Sequence, residues 1–100
     1  MKLLLSHLAK EDLLEIWEYI ASHDELAADR YIDHLSHRAM ELIDYPELGR
    51  ARNEIQPGIR SLLSRNHLLF YRIQPNEIQI LRTLHGSMDL PHQDYPNIPN

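Results

Sequence analysis

Apolar residues recur along this chain with two different periods, and the change of period divides it into elements. From Leu8 onward, Ala9, Leu13, Ile16, Trp17 and Ile20 fall at three- and four-residue spacing, which places them on one helical face. Glu11, Asp12, Glu15 and Glu18 lie off that stripe, and such acids are expected on a solvated face. Acids early in the segment also suit a helix N-terminus, where partial positive charge collects, and Ser6 is placed to cap it. His23 and Asp24 interrupt the pattern, and Asp24 is a good N-cap for a second helix. There Ala28, Tyr31, Ile32, Leu35, Ala39 and Leu42 repeat until Pro46, whose ring pushes the preceding residue out of the α region. A short link between two amphipathic helices implies an antiparallel helical hairpin.

The remaining elements read as strands. Residues 2–5 form a short apolar run that suits an inner strand. Residues 47–56 have no clean period and read as a loop, and Pro57-Gly58 is turn punctuation. Residues 59–64 form the next strand. Arg65-Asn66 is then a tight hairpin turn in which Asn66 tolerates positive φ. Residues 67–73 are apolar on both faces (Leu68, Leu69, Phe70, Tyr71), which predicts a central strand covered on both sides. Pro75-Asn76 supplies the following turn, and residues 77–84 the last strand. The tail, residues 91–100, carries three prolines and is expected to be extended and irregular.

The order strand, helix, helix, strand, strand, strand predicts an α+β fold in which a helical hairpin packs on one face of a small, mainly antiparallel sheet. The domain spans residues 1–90, with 91–100 as a proline-rich tail. Two helices cannot shield both sides of such a sheet, so an amphipathic segment from a partner is expected in the groove they leave. Leu13, Trp17, Tyr31 and Leu35 are its candidate apolar contacts.

Composition narrows the chemistry. The 100 residues carry a net charge of −5, and the acids concentrate before Pro46. All basic residues after that point are arginine. An acidic first half argues against broad adhesion to nucleic acid, which needs a contiguous cationic surface. The chain has no cysteine, which excludes disulfides, thiolate metal sites and cysteine nucleophiles, and suits a reducing cytoplasm. The run Leu3-Leu4-Leu5 is too short for a membrane span or a signal-peptide core. His34 and His37 have a spacing that can bind metal but no third ligand, so no metal is expected. The sequence has no glycine-rich phosphate loop and no nucleophile elbow, so no cofactor is expected either.

The arginines are the residues out of place. Period-two alternation along the last strand puts Ile78, Ile80, Arg82 and Leu84 on one face, so Arg82 must snorkel, pair or rim a pocket. Arg72 follows Leu68 and Phe70 in the same way, and Arg60 and Arg65 lie on the neighbouring hairpin. Either these arginines tie strand ends to acids of the helices, or they line a cationic cleft. On the second view Arg60, Arg65, Arg82 and His85, with Met88 beginning the tail, form the functional surface. A histidine leaving a strand beside arginine is also suited to proton transfer near neutral pH.

Three motifs follow one another in the second half: Pro57-Gly58-Ile59-Arg60, Leu69-Phe70-Tyr71-Arg72, and Arg82-x-Leu84-His85-x-x-x-Asp89. In that order they resemble the toxins of the RelE/ParE superfamily, and within it the ParE branch. The resemblance implies a toxin of a type II toxin–antitoxin pair that inhibits DNA gyrase without chemistry of its own. It also implies a cognate antitoxin that folds onto the toxin, and contact with DNA only indirectly, through that antitoxin or gyrase. The RelE branch implies the alternative, ribosome-dependent cleavage of messenger RNA, for which Glu54 as base, Arg65 or Arg72 as phosphate clamp and His85 as acid can be assembled. A third possibility is an inactive member kept as a binding module.

Overall fold

The computed structural model describes residues 1–98. Strand β1 (Lys2–Leu5) leads into helix α1 (His7–Ala21) and helix α2 (Glu25–Asp44). A two-residue strand β2 (Arg50–Ala51) precedes a meander of β3 (Arg60–Ser64), β4 (His67–Gln74) and β5 (Glu77–His85). A single 3₁₀ turn, Leu90–His92, follows. The sheet order is β1-β5-β4-β3-β2, with β1 parallel to β5 and the other pairs antiparallel. The architecture is α+β, with both helices packed on a five-stranded mixed sheet.

The helices start where capping chemistry allows. Ser6 Oγ accepts from Ala9 N–H at 3.0 Å and Asp24 Oδ1 accepts from Ala27 N–H at 3.1 Å, each satisfying an otherwise orphaned first-turn donor. The Ser6 hydroxyl also donates to Leu81 O at 2.6 Å, tying the first turn of α1 to β5. Trp17 Nε1 donates to Asp29 Oδ1 at 2.8 Å, which clamps α1 to α2. On the helix side of the sheet, Ala9, Ala39, Leu42, Leu69, Tyr71, Ile78 and Ile80 form one buried cluster.

β4 is the central strand, as its two-sided apolarity predicts. Its second face is covered by the chain itself. Ile59, Phe70, Leu81 and Leu84 pack there against Tyr95, with Leu90 and Ile98 from the tail. The Tyr95 ring meets Phe70 edge-on at 5.1 Å. Polar side chains of the sheet grip alternate carbonyls of the tail: Arg82 Nη1 that of Asp94 at 3.0 Å, Arg72 Nη1 that of Pro96 at 3.4 Å, and Gln79 Nε2 that of Ile98 at 3.4 Å. The tail is thus extended beyond its 3₁₀ turn, as expected, but it is part of the packing. Pro99, the last of its prolines, lies outside the described residues.

Several expectations are corrected. β1 is an edge strand, not an inner one, because it pairs only with the first half of β5. Its apolarity serves packing instead, with Leu3 and Leu5 against the helix-side cluster. The loop before Pro57 contains β2, which pairs with Arg60 and Ser61. Positive φ in the β3–β4 turn falls on Arg65 (54°) rather than Asn66, where the Arg65 guanidinium lies 5.8 Å from the centre of the Tyr31 ring.

The alternation along β5 is also broken. Phe70 pairs with Arg82 but Tyr71 pairs with Ile80, so Leu81 is a bulge residue. The extra residue reverses which side chains face which side. Ile78 and Ile80 face the helices, whereas Leu81 and Leu84 join the cluster under the tail. Arg82 therefore does not share a face with Ile78 and Ile80.

Candidate functional site

The bulge and the end of β1 together create the site. β1 leaves β5 at Ile80, so the outer edge of β5 beyond that point is open and α1 runs beside it. Asp12 fills the gap. Its carboxylate accepts from Arg82 Nε at 2.8 Å, Arg82 Nη2 at 2.9 Å and the Thr83 backbone N–H at 3.0 Å. The acid expected on a solvated face is instead 8% exposed, since it satisfies a sheet edge that has no strand partner. The hydrogen bonds it donates to Asp12 push the Arg82 pKa further up, against the effect of burial, so the guanidinium is permanently charged and occupied.

Above this pair lies an open cleft of about 400 Å³ between α1, the start of α2, the start of β4 and the exit of β5. Glu15, Ile16, Tyr19 and Ile20 form its α1 wall, and Tyr31, His67, Leu84, His85 and Met88 the opposite wall. Tyr19 is 77% exposed and Met88 43%, which leaves large apolar side chains at the rim. The Tyr31 hydroxyl is 2.5 Å from His67 Nδ1. His67 lies directly across the ladder from His85, with the rings edge to face at 5.4 Å. Burial, and secondarily His85, hold the His67 imidazole below its ordinary range. His85 Nδ1 accepts from Ser87 N–H at 3.1 Å, so its proton sits on Nε2.

The structure brings Arg82, His85 and Met88 into this one cleft, with Arg65 adjoining it over Tyr31. Arg60 is elsewhere. It donates to Gly49 O at 2.9 Å and Glu47 O at 3.2 Å, which fastens the loop after α2. Nor do Glu54, Arg72 and His85 converge. The Arg52 hydrogen bond at 2.8 Å holds the exposed Glu54 carboxyl below the usual range. Arg72 is bonded to Gln56 and the tail. It also lies five residues along β4 from the partner of His85, about 17 Å at the rise of an extended strand.

The four apolar positions assigned to a partner do not form one groove. Leu13 and Leu35 line an inner cavity of about 160 Å³ between hairpin and sheet, where Leu35 is only 1% exposed. Trp17 is half-buried at the α1–α2 clamp and Tyr31 lines the cleft. The sequence reading missed Asp12, Arg52 and His67. Arg52, nearly buried, donates to Ser61 Oγ at 3.0 Å and stacks 5.5 Å from the Phe70 ring centre. Only Asp12 left a signal: Ala9, Asp12 and Ile16 share the i, i+3, i+7 spacing of an inner helix face.

The fold and much of the sequence recur in characterised proteins. The family model for the ParE toxin of the type II toxin–antitoxin system parDE matches residues 3–90. Toxin ParE1 of Mycobacterium tuberculosis H37Rv is 37% identical over 91 residues, 87% of this chain and 91% of that protein. Toxin ParE1 of Caulobacter vibrioides is 34% identical over 87 residues, 85% and 88% of the two chains. Among solved structures, a chain of the chromosomal ParDE TA system from P. aeruginosa superposes with a TM-score of 0.73 at 27% identity, covering 85% of this chain and 95% of that one.

Proposed function

Because the chain belongs to the ParE family, the toxins of type II toxin–antitoxin systems, we propose that it arrests growth by binding DNA gyrase in the cytoplasm, without chemistry of its own. We further propose that a cognate antitoxin neutralises it. The observation that carries the non-catalytic reading is the dispersal of the groups a nuclease would need. Glu54 is held by Arg52, Arg72 is held by Gln56 and the tail, and His85 stands apart from both, so that of the assembled set only Arg65 adjoins the cleft of His85. General acid–base catalysis needs its acid and base within hydrogen-bond reach of the same reacting group.

The cleft at the end of β5 is the proposed target contact. Tyr19, His85 and Met88 are exposed there and carry no core packing, while the buried Arg82–Asp12 pair fixes the wall behind them. Arg65 is proposed as a flanking contact. The antitoxin is proposed to engage the helical hairpin through Leu13, Trp17 and Tyr31, each partly exposed. Leu35 would act only by shaping the surface from beneath. The acidic hairpin favours a segment bearing basic residues among its apolar ones.

A supercoiling assay with purified protein, paired with a primer-extension map of transcripts after induction, tests the reading. Expected are inhibited supercoiling, uncut transcripts, and inhibition weakened in Met88→Asp at an unchanged melting temperature. Codon-periodic cleavage lost in His85→Ala, with gyrase untouched, would establish the ribonuclease reading instead. The clustering of Tyr31, His67 and His85 in one cleft is the feature that favours that alternative.

A further inference from the structure

Two features of the molecule fall together at the inner cavity between the helical hairpin and the sheet. The first is its size. Protein interiors pack as densely as organic crystals and seldom leave a void larger than a water molecule, yet this cavity measures about 160 Å³. Half-buried Leu3 and Leu5 of β1 and Leu13 of α1 border it, and α2 offers only a methyl group there at Ala39. Every lining residue is apolar except Ser36 and Thr83. Ser36 and Met40 are exposed on α2 and mark the solvent side of the cavity. Thr83 forms part of its buried wall.

The second feature is the Thr83 hydroxyl. Thr83 pairs with Leu69 across the β4–β5 ladder, and directly opposed residues project from the same face of a sheet. Leu69 belongs to the cluster under the helices, so the Thr83 side chain faces the helical layer as well. It is 2% exposed, and its Oγ1 has no hydrogen-bond partner among the described residues. A buried hydroxyl left unpaired forfeits its hydration without return, and such groups are few in native proteins. The charges beside it are already matched, since Asp12 accepts from both the Thr83 N–H and the Arg82 guanidinium. What the buried wall of the cavity offers a ligand is therefore one neutral hydroxyl among apolar side chains.

We propose that this cavity is a binding site for a small, uncharged ring carrying a single hydroxyl group, the class of the monohydric phenols. The size sets the ring, because an apolar protein cavity of about 150 Å³ accommodates benzene. Thr83 sets the single polar group, because a hydroxyl both donates and accepts and pairs with another whichever way each proton turns. The lining sets the charge. No acid or base among the described residues lines the cavity, so a carboxylate or ammonium group there would lose its hydration with no counter-ion. Met40, unbranched and flexible, is the side chain suited to yield for entry. The cavity shares only Thr83 with the cleft at the end of β5, and the site holds whatever that cleft binds.

Methyl-resolved NMR titration of the free protein with phenol, and with toluene as its isostere lacking the hydroxyl, tests the site. Both rings should give saturable shifts at the methyl groups of Leu13, Leu35 and Leu69. Thr83→Val keeps the shape of the wall and should weaken phenol about fivefold relative to toluene, the equivalent of one neutral hydrogen bond. Ala39→Leu fills the cavity and should abolish binding of both rings, with its melting temperature reporting that the fold survives. A phenol-to-toluene affinity ratio unchanged in Thr83→Val would overturn the proposal. So would rings that leave these methyl groups unmoved, or that shift only Met88 and the cleft.

Discussion

Asp12 and Arg82, 70 positions apart in the chain, meet through two parallel hydrogen bonds of 2.8 and 2.9 Å. The Arg82 guanidinium spans the outer edge of β5, holding α1 through Asp12 and the tail through the carbonyl of Asp94. One side chain thus joins the helical layer, the sheet and the segment on its far face. Removing either partner strands a buried charge.

Asp12→Ala is expected to destabilise the protein by about 3–5 kcal/mol, the range for breaking a buried pair from one side. Arg82→Ala should cost less, because the Asp12 carboxylate keeps the Thr83 N–H. Replacing both by apolar residues should recover much of the loss. A urea-denaturation cycle over the single variants Asp12→Leu and Arg82→Met and the Asp12→Leu/Arg82→Met double variant measures the coupling. Additive losses would mean that the pair is not coupled. Loss of toxicity in Arg82→Ala has to be read beside this melt, since the residue is structural.

Tyr95 tests whether the tail is part of the fold. Its side chain is 8% exposed against Phe70, and truncating a buried aromatic costs roughly 3 kcal/mol or more. Tyr95→Ala should therefore lower the urea midpoint clearly, and deletion of residues 90–100 should lower it further. Midpoints equal to the wild type would place the tail off the sheet.

Gly49 is a packing requirement rather than a turn residue. A Cβ there would meet Ser61 O at 2.6 Å and Tyr71 Cε1 at 2.7 Å. Its N–H donates to the Tyr71 hydroxyl at 3.0 Å, and that hydroxyl donates to Pro46 O at 2.6 Å. Gly49→Ala should destabilise by about 1–3 kcal/mol, read by thermal melting. Gly86→Ala, where the nearest atom outside its chain neighbours is 3.8 Å away, is the control and should melt as the wild type.

Thr83 offers a gain. Its hydroxyl is buried without a hydrogen-bond partner among the described residues, while its N–H is satisfied by Asp12. Thr83→Val keeps the shape and removes the unpaired group, so it should stabilise by about 1 kcal/mol. A less stable valine variant, by the same denaturant titration, would reveal a partner for that hydroxyl.

The helices, their caps and the meander could be read from the chain because they rest on local chemistry. Ser6 and Asp24 cap where short polar side chains precede an apolar stripe, and β4 announces its central place by being apolar on both faces. The family motifs were legible for the same reason, as contiguous strands and turns. The candidate site was legible at His85 and Met88, which sit in sequence directly at the exit of β5.

What the chain order could not reveal is set by distance along it and by a single insertion. The Leu81 bulge adds one residue to a ladder, and alternation has no way to register that, so strict period two puts Arg82 on the wrong face. Asp12 looks like any surface acid until the end of β1 leaves the Thr83 N–H open beside it, which depends on where two strands stop pairing. The fate of Arg72 and the cover over Phe70 depend on a tail that returns across the sheet from more than twenty residues away. Short-range pattern sets the elements because backbone hydrogen bonds and apolar faces repeat locally. Buried charges and exposed clefts are settled by which unpaired groups meet once those elements pack, and no local period encodes that.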